Sequence, residues 1–215
     1  MIKHFCLLVF LLVNCASIAQ KTYEFNYVIE YKYTNKDKRT HSGYRFINSI
    51  DNSYIFTVWE DKNEYAMLLT LDNGKFYYDR ISKEDFFVEA ISLRCPHSGQ
   101  EKNPENLKDY KFEKMSDTLI NAERFSHFVV SPLNKKEIKK HNLVPLHYIV
   151  DNKYNFNFPV LKPNEVLYRM WKKGLDLPNG VVKELYTQNG GRDTYMELIQ
   201  CMPVRKYIFV DHNCK

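Results

Sequence analysis

The chain has 215 residues, of which 31 are lysine or arginine and 26 are aspartate or glutamate, for a formal net charge of +5. Charges of both signs are interspersed along the chain, so the composition argues against nucleic acid as a partner. The length suits a single domain that builds its own hydrophobic core.

The N-terminal segment is predicted to be a signal peptide. A short basic start precedes an apolar run from Phe5 to Val13, and small residues follow up to Ala19. This layout is typical of a secretory signal that is cleaved, here before Gln20. The run is shorter than the about 20 apolar residues that span a membrane. We therefore expect residues 1–19 to be removed and residues 20–215 to form one domain, periplasmic or secreted, with no transmembrane segment.

A second interpretation of this segment uses Cys15. The sequence Leu12-Val13-Asn14-Cys15 faintly resembles the lipobox at which bacterial lipoproteins are cut and acylated. Cys15 would then carry a lipid that anchors the protein to a membrane. Simple cleavage is the preferred prediction, because Asn14 fits poorly before an acylated cysteine.

The remaining chain has the pattern of antiparallel strands. From Tyr23 to Tyr33, apolar residues recur at every second position, which predicts a strand with one buried face. Asn73-Gly74 predicts a two-residue type I′ turn, and the segment around Met202 to Arg205 is predicted to turn between two terminal strands. Leu177-Pro178-Asn179-Gly180 predicts a turn in which Gly180 can take a positive φ, and the segment 189–191 predicts another turn. Other strands are predicted at about 44–50, 54–59, 65–71, 75–81, 110–112, 125–130, 144–150, 195–200 and 206–210, helices at about 133–141 and 166–173, a strand or short helix at 86–93, and a polar loop at 96–106.

One arrangement carries possible metal or redox chemistry. Cys95-Pro96-His97 in the middle of the chain mirrors His212-Asn213-Cys214 at its end. Two thiolates and two imidazoles can bind zinc, but the one-residue gaps lie outside the usual ligand spacing. In an oxidising compartment a disulfide is favoured over zinc, with Cys95 and Cys214 as the preferred pair. Cys201 is an alternative partner, and no metal or other cofactor is expected.

Catalytic residues are not predicted, because the common compact enzyme motifs are absent from the sequence. Four histidines could in principle serve a hydrolase, although isolated histidines are more often surface or satisfied interior groups; they are His41, His127, His141 and His147. The many aromatic residues are interpreted mainly as core, and alternatively as a concave surface for an apolar ligand or a glycan.

Three segments resemble the exported GLPGLI-type proteins of Gram-negative bacterial envelopes. They are the aromatic strand from Tyr23 to Tyr33, the stretch from Tyr110 to Ala122, and Leu177-Pro178-Asn179-Gly180 with the strand after it. The resemblance implies a mainly β fold: a strongly curved antiparallel sheet or half-barrel with one or two short helices. It implies no reaction, because that family is functionally uncharacterised.

The function predicted from these observations is that of a non-catalytic envelope domain that binds a ligand or partner on its curved sheet. The partner would be an apolar ligand, a glycan or an envelope protein. Two alternatives remain open: an exported hydrolase without a recognisable motif, and a structural or assembly component of the cell envelope.

Overall fold

The computed structural model describes residues 20–35, 37–101, 106–154, 156, 158–163, 165–188 and 192–211. These residues form fourteen strands that belong to one sheet. The strands are β1 (Lys21–Thr34), β2 (Thr40–Ile47), β3 (Tyr54–Asp61), β4 (Glu64–Leu71), β5 (Lys75–Ser82), β6 (Ala90–Leu93), β7 (His97–Gln100), β8 (Tyr110–Lys114), β9 (Thr118–Ile120), β10 (Glu123–Pro132), β11 (Leu146–Asp151), β12 (Pro159–Val160), β13 (Gly180–Gln188) and β14 (Arg192–Val210). The helices are α1 (Lys83–Phe86), α2 (Lys135–His141) and α3 (Val166–Lys172), with a 3-10 turn at Leu107–Asp109.

The order of the strands along the sheet is β7-β5-β4-β3-β2-β1-β14-β13-β11-β10-β8. These neighbours are antiparallel, whereas β6 pairs in parallel with β14 and β12 pairs in parallel with β13. The sheet does not close into a barrel. The predicted mainly β fold with an antiparallel sheet is confirmed, and three short α-helices stand where one or two were predicted. No helix in the described ranges is both long and apolar enough to cross a membrane.

The first strand contributes side chains to both faces of the sheet. Phe25 and Val28 pack in one hydrophobic cluster, while Tyr27 and Ile29 pack in another. The change occurs at a register shift against β14 that lies between Phe25 and Tyr27. The prediction that the odd-numbered residues share one face is therefore wrong for the strand as a whole. The predicted alternation of buried residues holds separately before and after the register shift between Phe25 and Tyr27.

The two clusters divide the core between the two halves of the sheet. One cluster lies under β2 to β6 and the end of β14, where Phe25, Phe56 and Ile208 are fully buried. The other lies among β10, β11, β13 and α3, where Leu167 and Val181 are buried. Strands β1 and β14 belong to both halves. Their register shifts, which bend paired strands, allow one sheet to cover two cores.

The end of the chain is one strand, so the predicted terminal hairpin is wrong. β14 runs without interruption from Arg192 to Val210 and pairs with β1 from Met196 onward. Pro203 lies inside it, next to the point where β14 carries an extra residue relative to β1. Proline is tolerated at such a bulge because one ladder hydrogen bond is already missing there. The turn chemistry of Met202 to Arg205 thus marks a bulge.

The hairpin around Asn73-Gly74 is confirmed, but its turn type differs from the prediction. Thr70 pairs with Phe76, and the amide of Gly74 donates to the carbonyl of Leu71 at 2.9 Å. Gly74 alone in this turn has a positive φ, of 83°. The loop is therefore a three-residue type I turn closed by a glycine in the left-handed region.

A type I′ turn occurs instead between β9 and β10. Ile120 pairs with Glu123, so Asn121 and Ala122 form a two-residue loop. Both have a positive φ, of 52° and 66°. Alanine is strained in this conformation because its Cβ approaches the backbone.

Most other predicted elements are present with shifted ends, and two differ. The predicted polar loop at 96–106 contains the strand β7, which pairs with β5. The ambiguous segment 86–93 divides into the end of α1 and the strand β6. In the predicted turn before β13, Gly180 has φ of +132°, and a Cβ there would lie 2.3 Å from the carbonyl oxygen of Asp151. Glycine is therefore required at this position. The predicted turn at 189–191 and the signal segment at 1–19 lie outside the described residues.

Candidate functional site

The candidate site is a groove beside α1. The pairing of β13 with β14 ends at Glu197, and the pairing of β6 with β14 begins at Tyr207. Between these two residues, β14 pairs with only one described strand, β1. The link from α1 to β6 faces this stretch and encloses a groove of about 400 Å³. We call it the α1 groove. Its lining residues are Val28, Glu30, Tyr44, Phe46, Tyr65, Phe86, Phe87, Val88, Glu89, Gln200, Met202, Val204, Arg205 and Lys206.

The floor of the α1 groove is aromatic. The ring of Phe86 lies 4.7 Å from that of Tyr65 and 6.0 Å from that of Phe46, centroid to centroid. All three side chains are buried. Phe86 is placed by α1, which Ser82 caps by accepting a hydrogen bond from the amide of Asp85. The floor is thus built from two strands and a capped helical turn.

The rim of the groove exposes large apolar side chains. Phe87 is 78% exposed, Val88 50% and Met202 43%. Such side chains scattered singly on a surface need no explanation, but a contiguous exposed group marks an interaction site. Here three exposed apolar residues border one concavity with an aromatic floor. This combination gives the α1 groove the character of an apolar binding site.

One buried cation lies at the end of the groove. Lys206 is only 4% exposed, and its Nζ donates hydrogen bonds to the carbonyl oxygens of Phe86 at 2.5 Å and Val88 at 2.6 Å. The ammonium also lies 4.3 Å from the centroid of the Phe86 ring. Burial lowers the pKa of Lys206 to about 8, because the apolar surroundings disfavour the charged form. The lysine therefore holds the link after α1 in place at the cost of desolvating a charge.

Four other polar side chains of the groove are paired with one another. Gln200 donates to Glu30 at 2.7 Å, and Arg205 forms a 3.0 Å ion pair with Glu89 at the exposed rim. Burial, followed by the charge of Glu30, raises the pKa of Tyr44, so its phenol stays neutral at physiological pH. The groove is consequently apolar in its middle, with paired polar groups around it.

The strand register places the polar groups at different points along the groove. Lys206 lies opposite Phe25, Met202 opposite Val28, and Gln200 opposite Glu30. Glu30 lies five positions beyond Phe25 in β1, which is roughly 16 Å of strand. The groove therefore has a cationic end at Lys206, an apolar middle, and an acidic end at Glu30.

A second cluster joins two of the four histidines named from the sequence. Nε2 of His127 lies 3.0 Å from Nδ1 of His147, and the hydroxyl of Tyr186 lies 3.4 Å from His127. The ring of Tyr186 stacks on His147 with centroids 4.6 Å apart. Neighbouring strands β10, β11 and β13 supply the three residues. This cluster can share a proton, but a hydrolase also needs a nucleophile and oxyanion donors.

The other two histidines lie elsewhere. His41 stacks on Tyr33 with ring centroids 5.4 Å apart. His141 lies in α2, 3.2 Å from the carboxylate of Glu137. The four histidines therefore do not form one site.

The cysteines named from the sequence occupy different environments. Cys95 lies in the turn between β6 and β7 with φ of 52°. Cys201 lies in β14 opposite Ile29 and carries a free thiol, whereas Cys95 does not. Burial raises the pKa of Cys201 to about 11, so this thiol is protonated and unreactive. His212 and Cys214 lie outside the described residues, and no metal-binding group of three or more His, Cys, Asp or Glu side chains occurs within them.

The residues that form the α1 groove were not predicted from the sequence as a site. A signal for Lys206 was present, because it alternates with Ile208 and Val210, which are fully buried. A lysine in the buried row of a strand indicates a special environment. Phe87 had no such signal, since its neighbour Phe86 is equally apolar and is buried.

Comparison with known proteins adds no family to this description. No protein-family model matches the chain, and no curated protein matches it.

Proposed function

We propose that this protein is a non-catalytic envelope domain that binds an apolar ligand in the α1 groove. One observation carries the proposal: the exposed side chains of Phe87, Val88 and Met202 all border one groove, and the floor of this groove is aromatic. Leaving these side chains in water is unfavourable, and a ligand that covers them removes that cost. The proposed resemblance to GLPGLI-type proteins agrees with such a role but supplies no ligand.

The dimensions and chemistry of the groove support a small ligand. Its volume of about 400 Å³ falls within the usual range for small-molecule pockets, roughly 300–1,000 Å³. Such pockets are mostly apolar with a few polar groups that orient the ligand. A glycan would require many more hydrogen-bonding groups than the groove offers among its lining residues. An apolar ligand is therefore the best of the three partner classes.

Binding can be measured with N-phenyl-1-naphthylamine, an uncharged probe that fluoresces in apolar sites. The native protein should bind it with saturable fluorescence. Phe87→Ala should weaken binding by about tenfold, because one aromatic contact surface worth about 1.4 kcal/mol is lost. Phe87 is exposed, so its removal should leave the fold intact.

Leu119→Ala is the matched control for this experiment. Leu119 is 68% exposed, lies in β9, and does not line the α1 groove. Its replacement should leave probe binding unchanged. Equal weakening by both substitutions, or no saturable binding by the native protein, would contradict the proposal.

An exported location and a Cys95–Cys214 disulfide belong to the same proposal. The predicted signal in residues 1–19 supports export to the periplasm or beyond. The bridge is supported by the position of Cys95 close to the end of β14, since Leu93 pairs with Val210. Disulfides persist in oxidising compartments, so the bridge and the location support each other.

An exported hydrolase is the second candidate, favoured by the His127, His147 and Tyr186 cluster. Its groups lie on β10, β11 and β13, away from the residues that line the α1 groove.

The alternative of a structural or assembly component has less support. The edge strand β7 has four residues, and the other edge, β8, carries Lys111, Glu113 and Lys114. Short or charged edges discourage strand pairing between molecules.

A further inference from the structure

The binding of an apolar ligand does not explain why a lysine, Lys206, is buried at the end of the α1 groove. It is the one buried lysine among the described residues, and it forms no ion pair within them. Its partners are two neutral carbonyl oxygens. A methionine would fill the same space without the desolvation penalty. A charge kept at the end of a binding groove therefore suggests a charged group on the ligand.

The ammonium has hydrogen-bonding capacity left. It carries three N–H donors, and two of them are used by the carbonyl oxygens of Phe86 and Val88. Lys206 also lines the α1 groove. An anionic oxygen that enters this end of the groove can accept the third hydrogen bond and compensate the charge. Charge-assisted hydrogen bonds of this kind are about twice as strong as neutral ones.

The opposite end of the groove sets the direction of the ligand. Glu30 would repel an anion, and it lies roughly 16 Å along β1 from the position opposite Lys206. Between the two ends lie Val28 and Met202, which are paired across the strands. An anionic group is thus favoured only at the Lys206 end, with an apolar chain extending along the middle.

We propose that the ligand of the α1 groove is an amphiphile with one carboxylate, whose carboxylate accepts a hydrogen bond from Nζ of Lys206 while its aliphatic chain lies on Val28 and Met202. This inference rests on the proposed function and narrows it to a ligand class. The groups that face the groove besides Lys206 are Glu30 on β1, Tyr44 on β2, Tyr65 on β4, Glu89 before β6 and Arg205 on β14. Glu30 accepts a hydrogen bond from Gln200, and Glu89 forms an ion pair with Arg205.

The test compares decanoate with decanol, which share the chain and differ in charge. Binding of each is measured by displacement of N-phenyl-1-naphthylamine from the native protein at pH 7, below the concentrations at which the amphiphiles aggregate. Decanoate should bind about tenfold or more tightly than decanol. Equal affinities would overturn the carboxylate inference and leave the apolar groove standing. Failure of both to bind would overturn the proposed function itself.

Two variants locate the charge that is responsible. In Lys206→Met, the preference for decanoate over decanol should disappear. In Lys114→Met, it should remain, because Lys114 is an exposed lysine on β8 that does not line the α1 groove. Retention of the preference in Lys206→Met, or its loss in Lys114→Met, would overturn the assignment.

The native protein provides a test that needs no variant. Decanoate is ionised at both pH 7 and pH 10, since carboxylic acids titrate near pH 4. Lys206 is protonated at pH 7 and neutral at pH 10, as its pKa is about 8 in the free protein. The preference for decanoate should therefore fall about tenfold between these pH values, while decanol affinity stays constant. A preference that is constant with pH would contradict a role for Lys206, even if Lys206→Met did not fold.

Discussion

Lys206 shows how one residue can carry both a structural and a functional role. Its position in the alternating row with Ile208 and Val210 directs it into the core. Its long side chain then reaches the carbonyl oxygens of Phe86, the last residue of α1, and of Val88, two residues later, and its hydrogen bonds satisfy groups that would otherwise lack partners. The same contacts hold Phe87 and Val88 at the rim of the groove.

The burial of Lys206 predicts that stability depends on pH. The unfolded chain keeps this proton up to pH 10.5, while the folded chain releases it near pH 8. Between these values the unfolded state binds more protons, so the free energy of unfolding rises with pH. From pH 8 to pH 10, native protein should gain stability relative to Lys206→Met by on the order of 1 kcal/mol or more.

Urea unfolding of the native protein and the variant at both pH values measures this effect. Lys114→Met serves as the control, because Lys114 is an exposed lysine on β8. The free energy of unfolding of Lys114→Met relative to the native protein should be the same at pH 8 and pH 10. If the relative free energy of unfolding of Lys206→Met is also the same at both pH values, Lys206 is not desolvated as the structure indicates.

Some single residues could be interpreted from the sequence and others could not. Gly180 was predicted to accept a positive φ, and the structure has it at +132° against the backbone of Asp151. That prediction succeeded because local turn chemistry determines the conformation. The pairing of His127 with His147 was not predictable, since it depends on the register of β10 against β11. Contacts between distant strands leave no local sequence signal.

At the scale of elements, turns show where local patterns mislead. Asn73-Gly74 has the typical type I′ sequence but forms a three-residue loop with only Gly74 at positive φ. The type I′ turn occurs at Asn121-Ala122, where the second residue is unfavourable. The pairing of the flanking strands decides the loop length, and the turn residues then adopt the conformation that remains.

The strained turn predicts a stabilising substitution. Ala122→Gly should raise the free energy of unfolding by about 0.5–1 kcal/mol, because glycine accepts positive φ without a Cβ clash. The gain is reduced by the greater entropy of glycine in the unfolded chain. Urea unfolding of the variant beside the native protein measures it.

Ala90→Gly is the control, since Ala90 is exposed in β6 and does not have a positive φ. There the same exchange should lower stability, because only the entropic cost of glycine remains. Destabilisation by both substitutions would contradict the assignment of a strained turn at Ala122.

Across the whole molecule, sequence periodicity predicted the strands but not how one sheet covers two cores. The aromatic alternation of β1 was clear, yet Phe25 and Tyr27 pack in different clusters. That division depends on register shifts against β14, nearly 180 residues away in the chain. The α1 groove arises at the same place, where β14 passes from one half to the other with only β1 beside it. The site therefore follows from long-range pairing, which explains why sequence reasoning did not find it.

The same topology argues for which cysteines pair. β6 lies parallel to the end of β14, and the amide of Asp211 donates to the carbonyl of Leu93 at 3.4 Å. Cys95 follows Leu93 by two residues, and Cys214 follows Asp211 by three, a reach of at most about 10 Å. Cys201 is nine residues before Val210, roughly 30 Å away along the strand. The geometry thus favours Cys95–Cys214 and argues against Cys201 as a partner.

Peptide mapping of the exported protein under non-reducing conditions should find Cys95 and Cys214 in one linked fragment. Cys201→Ser should leave that fragment unchanged, and a chelator should not alter stability. Reduction should destabilise the fold by up to roughly 4–5 kcal/mol, because the bridge closes a loop of roughly 120 residues in the unfolded chain.

The intact mass of the same preparation should place the N-terminus at Gln20. Two free thiols with bound zinc would overturn the bridge, and an acylated Cys15 would replace simple cleavage with a lipid anchor. Such a bridge would join the chain that follows β14 to the chain that leaves β6, and would hold the strand that carries Lys206 against the strand that follows Phe87.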